Sequence, residues 1–187
     1  MSDDKAAWKV VDRKLLQDAS PWVKLFCETI ELPNGRRIDD FYHVELPDYA
    51  VVLALTADAR FIMVRGYKHA VGRETLSLPA GMIEPGENPL AAAQRELLEE
   101  TGYQASHWQR LGEYLTDANR HCGTMHLFVA RDAVQIQAPE LDDAEMLTCE
   151  LFSTESLRRS LVNGDIDTLP SAAGLAIGLL LLDAGPE

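Results

Sequence analysis

The sequence predicts an α+β fold, a sandwich of mixed sheets with helices, with a small antiparallel sheet ahead of it. Strand-like segments follow one another in hairpin-like pairs, only three segments have helical character, and the strand pattern restarts at Tyr49 after the sequence ELPD. Paired strands with few helices between them are typical of an α+β domain and not of a doubly wound parallel sheet. We therefore expect residues 1–46 to form a β extension and residues 47–187 to form the main domain.

Six strands are expected from local patterns of apolar and turn residues. The segment Trp22–Leu46 predicts two strands around the turn Pro33-Asn34-Gly35, because Asn-Gly is a strong hairpin signal. Four further segments are rich in apolar and β-branched residues. They are YAVVLALT (49–56), RFIMVRGY (60–67), TMHLFVA (124–130) and EMLTCELF (145–152).

Three helices are expected, over Pro89–Thr101, Thr154–Val162 and Ser171–Leu182. The last contains the longest apolar run of the chain, Ala172–Leu182. A run of this length is too short for a bilayer, which requires about 20 residues. We therefore interpret it as a buried C-terminal helix, and we expect no contact with a membrane.

Composition excludes some classes of partner. The 187 residues include 30 acidic and 17 basic side chains, for a net charge of -13. This charge repels nucleic acid phosphates, so we expect no nucleic acid partner. Cys27, Cys122 and Cys149 have no metal-ligand spacing, and the N-terminal residues lack the apolar core of a signal peptide. Reduced thiols in the cytoplasm are the expected state.

The central helix has clear boundary signals at both ends. Asn88 is a favourable N-cap, and Pro89 suits the first helical position. Gly102 is placed to adopt the left-handed conformation after the last turn. The 13 residues between these signals are good helix formers.

The acidic residues of this helix are predicted to lie together. At about 100° per residue, Glu96, Glu99 and Glu100 fall within an arc of about 100°, which we expect to be exposed. The opposite side is expected to pack on the sheet. That side contains Leu90, Ala93, Gln94, Leu97, Leu98 and Thr101.

A solvated acidic face is the simplest interpretation of these glutamates. However, they lie near the helix C-terminus, where the macrodipole disfavours negative charge. The positions four residues on include Tyr103 and Gln104, with no lysine to pair with them. Carboxylate oxygens suit Mg²⁺, or alternatively Mn²⁺, and such ions hold substrate phosphates. The arrangement therefore predicts a metal site for a phosphate ester or anhydride.

The same residues resemble a known family motif. The Nudix box is G-x5-E-x7-R-E-U-x-E-E-x-G-U, in which U is a bulky apolar residue, and every fixed position has its counterpart here. The matching residues are Gly81, Glu87, Arg95, Glu96, Leu97, Glu99, Glu100, Gly102 and Tyr103. The resemblance implies a metal-dependent hydrolase that uses water to cleave the diphosphate of a nucleoside diphosphate derivative.

The resemblance also implies roles for the residues of the box. Glu96 and Glu100 are expected to be the principal metal ligands, assisted by Glu99 and by the Ala80 carbonyl. Glu87 and Arg95 are expected to form a structural pair that braces the loop against the helix. Gly81 and Gly102 have structural roles.

Similarity outside the box points to the ADP-ribose and ADP-sugar pyrophosphatase branch. It is carried by VRGYKHAVGRETLSLPAGMIEPGE (64–87) and by the hairpin LPNGRRIDDFYHVEL (32–46). The resemblance implies that the N-terminal extension forms a homodimer and contributes to the substrate pocket. Arg65, Lys68 and Met82 are the expected substrate contacts.

The acidic segment PELDDAEMLTCELF (139–152) resembles a loop that provides a late catalytic carboxylate. Asp143 is the expected base and Glu145 an additional metal ligand, with Asp142 a near neighbour. With Glu99 and Glu100, these two residues complete the expected catalytic set. A solvated acidic loop is the alternative.

The substrate expected from these features is ADP-ribose, hydrolysed to AMP and ribose 5-phosphate. Ser77 replaces an acidic residue usual in this branch, so GDP-mannose or another nucleotide sugar is an alternative. A third alternative is a nucleotide-sugar sensor without catalysis, which the intact box disfavours. Hydrolysis of oxidised nucleoside triphosphates fits a shorter chain.

Overall fold

The computed structural model describes residues 7–141 and 146–184. Eleven strands and three helices lie within these residues. Their bounds are β1 Lys9–Ala19, β2 Val23–Glu31, β3 Arg37–Glu45, β4 Tyr49–Thr56, β5 Phe61–Lys68, β6 Arg73–Ser77, β7 Ala80–Met82, α1 Pro89–Thr101, β8 Tyr103–Gln104, β9 His107–Asp117, β10 His121–Gln135, β11 Leu147–Phe152, α2 Thr154–Asn163 and α3 Leu169–Ala184.

The chain divides into two compact units. The first comprises residues up to Asp48 together with Leu115–Thr124, and the second comprises Tyr49–Tyr114 and the chain from Met125 onward. The long strands β9 and β10 therefore each contribute to both units. Cys27, Cys122 and Cys149 are free thiols. None of the helices in the described ranges is long and apolar enough to cross a membrane.

The first unit contains an antiparallel meander of β1, β2 and β3. The predicted hairpin between β2 and β3 is confirmed, and Gly35 adopts a φ of 80° in its turn. We did not predict β1. All 11 of its residues are exposed, so it lacks the alternation of buried and exposed residues that identifies a half-buried strand.

The second unit contains a mixed sheet in the order β10, β4, β5 and β11. β10 and β4 are parallel, whereas the other two pairs are antiparallel. The short strand β6 pairs with β5, and the short strand β7 pairs with β4. Strands β8 and β9 pair with β10. This mixed sheet with helices on it confirms the predicted α+β class.

Helices cover both faces of this sheet. Along β4, Val51, Leu53 and Leu55 belong to one buried cluster with residues of α2 and α3. The alternate residues of β4 belong to a second cluster with α1. They are Ala50, Val52 and Ala54. Because both faces are covered, β4 is a continuous apolar segment without polar alternation.

The predicted helices are confirmed with small changes at their ends. α1 has the predicted bounds, and α2 is one residue longer. α3 begins at Leu169, two residues before the predicted start, and continues to Ala184. We did not predict β6, β7 or β8, because such short strands lack a pattern that is long enough to recognise. We also did not predict β9, which is 11 residues long but lacks a regular alternation of buried and exposed residues.

Two helices end at a glycine in the left-handed conformation. Gly102 after α1 has φ 74°, and its N–H donates to the Leu98 carbonyl. Gly164 after α2 has φ 78°. Their surroundings differ, because a Cβ on Gly102 would lie 2.1 Å from the Gln137 carbonyl oxygen, whereas nothing lies within 4 Å of a Cβ on Gly164.

This difference predicts unequal effects of alanine at the two positions. Gly164→Ala should lower the free energy of unfolding by about 1–2 kcal/mol, the cost of left-handed backbone for a residue with a Cβ. Gly102→Ala should lower it by about 1–3 kcal/mol more, because it adds a clash with fixed backbone. Urea unfolding of the two variants measures the difference, and equal losses would contradict the geometry.

Candidate active site

A short loop brings β7 back against α1. The Glu87 N–H donates to the Glu84 carbonyl (2.9 Å), while the Glu84 N–H donates to the Glu87 carboxylate (3.0 Å). Gly86 provides the positive φ of 85° within this turn. The Asn88 side chain then accepts from the Leu90 N–H and begins α1. The turn therefore fixes the point at which the helix starts relative to β7.

Arg95 uses all five of its N–H groups in this region. Its Nε and Nη2 donate to the two oxygens of Glu87, each at 3.0 Å, and Nη2 also donates to the Met82 carbonyl (3.0 Å). Its Nη1 donates to Glu96 (2.7 Å) and to Glu99 (3.1 Å). Because guanidinium has five N–H donors in a fixed plane, one side chain joins the loop, β7 and the helix.

The pair that we expected between Glu87 and Arg95 is therefore present in the structure. Its hydrogen bonds hold the pKa of the Glu87 carboxyl below its usual value. The same contact is the largest cause of a raised pKa for Arg95. Both side chains are mostly buried, so solvent screens this ion pair less than one at the surface.

The predicted exposed acidic face is wrong for two of its three members. Glu96 is 9% exposed and Glu100 is 4% exposed. The reason is that β7 folds over this side of α1, where helical periodicity alone places solvent. Only Glu99 keeps a substantially exposed side chain, at 43%.

Gly81 and Ala80 contact the two buried carboxylates. A Cβ on Gly81 would lie 2.0 Å from the Glu96 carboxyl carbon, so glycine allows the carboxylate to approach the backbone. The Ala80 N–H donates to Glu100 at 2.9 Å. Residues of β7 thus fix Glu96 by shape and Glu100 by a hydrogen bond.

The opposite side of α1 also differs in part from the prediction. Ala93, Leu97 and Thr101 are buried as expected, and the Thr101 hydroxyl donates to the Leu97 carbonyl. Gln94 is exposed and does not pack on the sheet. It lines a cavity of about 240 Å³ together with Trp108. α1 therefore packs against the sheet on one side and against β7 on another, while Gln94 faces the cavity.

The donor chemistry of this region fits a hard divalent cation. Glu96, Glu99 and Glu100 offer carboxylate oxygens, which together carry more negative charge than the Arg95 guanidinium alone offsets. Gly81 leaves a cradle at Glu96 that a Cβ would fill. Within residues 7–141 and 146–184, no three His, Cys, Asp or Glu side chains are already grouped as a metal site. Arg95 Nη1 lies instead between Glu96 and Glu99.

Of the predicted substrate contacts, Arg65 is held by a partner that we did not predict. Its Nε donates to Glu150 of β11 at 2.6 Å, and this hydrogen bond raises the pKa of Arg65. Arg65 pairs directly with Thr148 in the sheet, so Glu150 lies diagonally on the same face. Sequence alone gave no signal for Glu150, because the pairing depends on the register of β5 and β11.

The remaining predicted residues have different settings. Lys68 is exposed at the end of β5. Met82 is half-buried at the end of β7, and its carbonyl accepts from Arg95. Asp142, Asp143 and Glu145 lie outside the described residues.

Comparisons with known proteins agree with this fold and motif. A family model for the NUDIX domain matches residues 46–172, so the chain belongs to the Nudix family.

Two bacterial relatives are similar over most of the chain. An ADP-ribose pyrophosphatase of Bacillus subtilis (strain 168) is 34% identical over 126 residues, which cover 67% of this chain and 68% of the relative. A methanol dehydrogenase activator of Bacillus methanolicus is 33% identical over 138 residues, which cover 73% and 74%. The resemblance to the Nudix family and its ADP-ribose pyrophosphatase branch is confirmed.

A crystal structure of an ADP compounds hydrolase is similar with a TM-score of 0.81. It is 20% identical, and the match covers 95% of both chains. At this identity the likeness shows the fold, which is the Nudix fold that the box implied.

The Glu87–Arg95 contact predicts a pH-dependent contribution to stability. Because the pKa of Glu87 is lowered in the folded state, its contribution is complete above its unfolded pKa of about 4.3 and is lost as pH falls through the folded pKa. Glu87→Gln should therefore lower the free energy of unfolding by about 1.5–3 kcal/mol at pH 7.

Urea unfolding of wild type and Glu87→Gln between pH 7 and pH 3 measures this difference, which should shrink below about pH 4. Glu84→Gln, in the same loop and exposed, is the control and should stay within about 0.5 kcal/mol of wild type. A difference for Glu87→Gln that is independent of pH would contradict the assignment.

Proposed function

We propose that the protein hydrolyses the diphosphate bond of nucleoside diphosphate sugars with Mg²⁺, and that ADP-ribose is cleaved to AMP and ribose 5-phosphate. In this reaction water adds to one phosphorus and the bridging P–O bond breaks. Relatives named as ADP-ribose pyrophosphatases, similar over about two thirds of the chain, support this substrate class. The intact box supports the chemistry.

One structural observation carries the proposal. Two carboxylates of one helix, Glu96 and Glu100, are buried beside a glycine and a backbone N–H of β7. Burying two like charges within a turn of each other is unfavourable, and the single Arg95 guanidinium, which contacts Glu96 and is shared with Glu87 and Glu99, offsets only part of this charge. A divalent cation is the ligand that such a pair suits, and a diphosphate is the substrate that the cation would hold.

Glu96, Glu99, Glu100 and the Ala80 carbonyl would hold the metal, with Glu145 as a further ligand. When bound, Mg²⁺ supplies charge neutralisation for the diphosphate and lowers the pKa of coordinated water. Mn²⁺ has the same preference for oxygen ligands and is an alternative. Arg95 keeps the helix and β7 in register while Glu96 and Glu99 serve as ligands.

The other assigned residues act on the substrate. Arg65, whose orientation Glu150 fixes, and Lys68 offer positive charge to phosphate or sugar oxygens. Met82 offers an apolar contact. Asp143 would accept a proton from the attacking water, and Glu99, Glu100 and Glu145 complete the catalytic set.

Two other functions make different predictions. A GDP-mannose or other nucleotide-sugar hydrolase would use the same metal site with a different nucleoside. A sensor would bind nucleotide sugars without cleaving them. The four glutamates of the box favour hydrolysis, because a sensor does not require all of them.

The test is incubation with a panel of nucleoside diphosphate sugars, with and without Mg²⁺, followed by chromatography. Metal-dependent release of AMP and ribose 5-phosphate from ADP-ribose is the expected result. Release of GMP from GDP-mannose instead would assign GDP-mannose as the substrate. Tight binding without any cleavage would support the sensor.

Glu100→Gln should abolish turnover, by about 10³-fold or more, because it removes a charged ligand from a site that works mainly by charge. We expect the fold to persist, since the amide oxygen of glutamine still accepts from the Ala80 N–H. Glu84→Gln is the control with unchanged turnover. Wild-type activity in Glu100→Gln would refute the site assignment.

We also propose that residues 1–46 form a dimerisation extension and contribute to the substrate pocket. The supporting feature is β1, an 11-residue strand exposed along its whole length. Large apolar side chains on and next to it are 42–54% exposed. They are Trp8, Val10, Val11, Leu15 and Leu16. A long exposed strand with this composition is suited to contact a second copy of the chain.

The free cysteines support a cytoplasmic location.

Light scattering at micromolar concentration should give the mass of a dimer. Replacing both Leu15 and Leu16 by lysine should shift the mass to a monomer, because the adjacent positions place a charge on each side of the strand. Val162→Lys, at an 88% exposed position of α2, is the control and should remain dimeric. A monomeric wild type would refute the dimer.

A further inference from the structure

Three successive backbone residues before the box are each held by a different element. The Leu78 N–H donates to the Ser171 hydroxyl of α3 at 3.0 Å. The Pro79 carbonyl accepts from the Val52 N–H of β4 at 2.9 Å. The Ala80 N–H donates to Glu100 of α1 at 2.9 Å. The segment 78–80 therefore connects both helical layers to the sheet.

Close packing of α3 makes the Ser171 contact. Ser171 and Gly174 are three residues apart and so lie on the same side of the helix. A Cβ on Gly174 would lie 2.8 Å from Leu78 Cδ1. Glycine thus lets α3 approach Leu78 closely enough for the serine hydroxyl to reach its N–H. Ser171 is 4% exposed and Leu78 is 1% exposed, so water does not readily replace this bond.

We propose that Ser171 is a positioning residue for the metal site, although it lies about 70 residues beyond the box. By fixing Leu78, it fixes the position of Ala80 two residues on, and hence the Ala80–Glu100 hydrogen bond. The proposal rests on the function above in that Ala80 and Glu100 are assigned there as metal ligands. Ser171 itself touches neither substrate nor metal.

The alternative is that Ser171 only stabilises the fold. Removing its hydroxyl leaves a buried N–H without a partner, which lowers stability in either case. The two roles differ in what happens at Ala80. A positioning role requires that the Ala80 N–H also loses protection, whereas a purely structural role leaves it unchanged while the protein is folded.

The chain offers a matched control at the start of the same helix. The Thr168 hydroxyl oxygen is buried and makes no hydrogen bond to any part of the chain that the structure describes. Thr168→Val therefore removes a buried hydroxyl without removing a hydrogen bond. Leu157→Ala, in the fully buried core at α2, is a second control, because it lowers stability without removing a hydrogen bond of the segment 78–80.

The first experiment measures amide hydrogen exchange in metal-free protein. In Ser171→Ala, exchange at both Leu78 and Ala80 should accelerate by about tenfold or more, the change expected for a lost buried hydrogen bond. Neither Thr168→Val nor Leu157→Ala should accelerate hydrogen exchange at the Ala80 N–H relative to exchange at the other core amides. Faster exchange at Leu78 alone would overturn the proposal.

The second experiment measures Mn²⁺ binding by calorimetry on the same variants. The Kd of Ser171→Ala should rise by about tenfold, with wild-type values for both controls. An unchanged Kd in Ser171→Ala would overturn the proposal. Wild-type protein that binds no Mn²⁺ would refute the proposed function instead, while the exchange data would still report on Ser171.

If Ser171→Ala does not fold, Ser171→Cys keeps a weak acceptor of similar size. It should give a smaller acceleration at Ala80 and a smaller rise in Kd. Wild-type exchange at Ala80 in a folded Ser171→Cys, with Leu78 accelerated, would again overturn the proposal.

Discussion

The Arg95 guanidinium is the interaction on which the arrangement of the site depends. It joins Glu87 of the loop, the Met82 carbonyl of β7 and two glutamates of α1 through five hydrogen bonds. A lysine has a single ammonium group and cannot reach these acceptors in one plane. Because Arg95 of α1 bonds both to the loop and to β7, it fixes the angle at which the helix leaves the loop. The carboxylates take their positions from that angle.

The two-sided sheet provides the second constraint. β4 is apolar on both faces, so α1 packs on one side and α2 and α3 on the other. β7 pairs with β4, and the segment 78–80 leads into it. This segment is contacted by α3 from one helical layer and by α1 from the other. The site is in this sense a product of the whole sandwich and not of the box helix alone.

Much of this was predictable from local sequence, and the remainder depended on register. Asn88, Pro89 and Gly102 mark the ends of α1 because capping is a short-range effect. The burial of Glu96 and Glu100 was not predictable, because the periodicity of α1 carries no information about β7, the strand that packs over them. Glu150 and Ser171 are distant in sequence from the residues they contact, and no local sequence pattern indicates these contacts. β1 was missed because both of its faces are exposed.

The position of Ser171 in the last helix has a consequence for the order of assembly during synthesis. The loop, β7 and α1 leave the ribosome about 70 residues before α3 does. Until α3 docks, the Leu78 N–H lacks the serine hydroxyl to which it donates in the folded protein. If Ser171 positions Ala80 as proposed, the glutamates reach their final geometry only after α3 has been synthesised and has docked. A chain cut short before residue 169 would contain every residue of the box and yet lack one of the contacts that hold it in place.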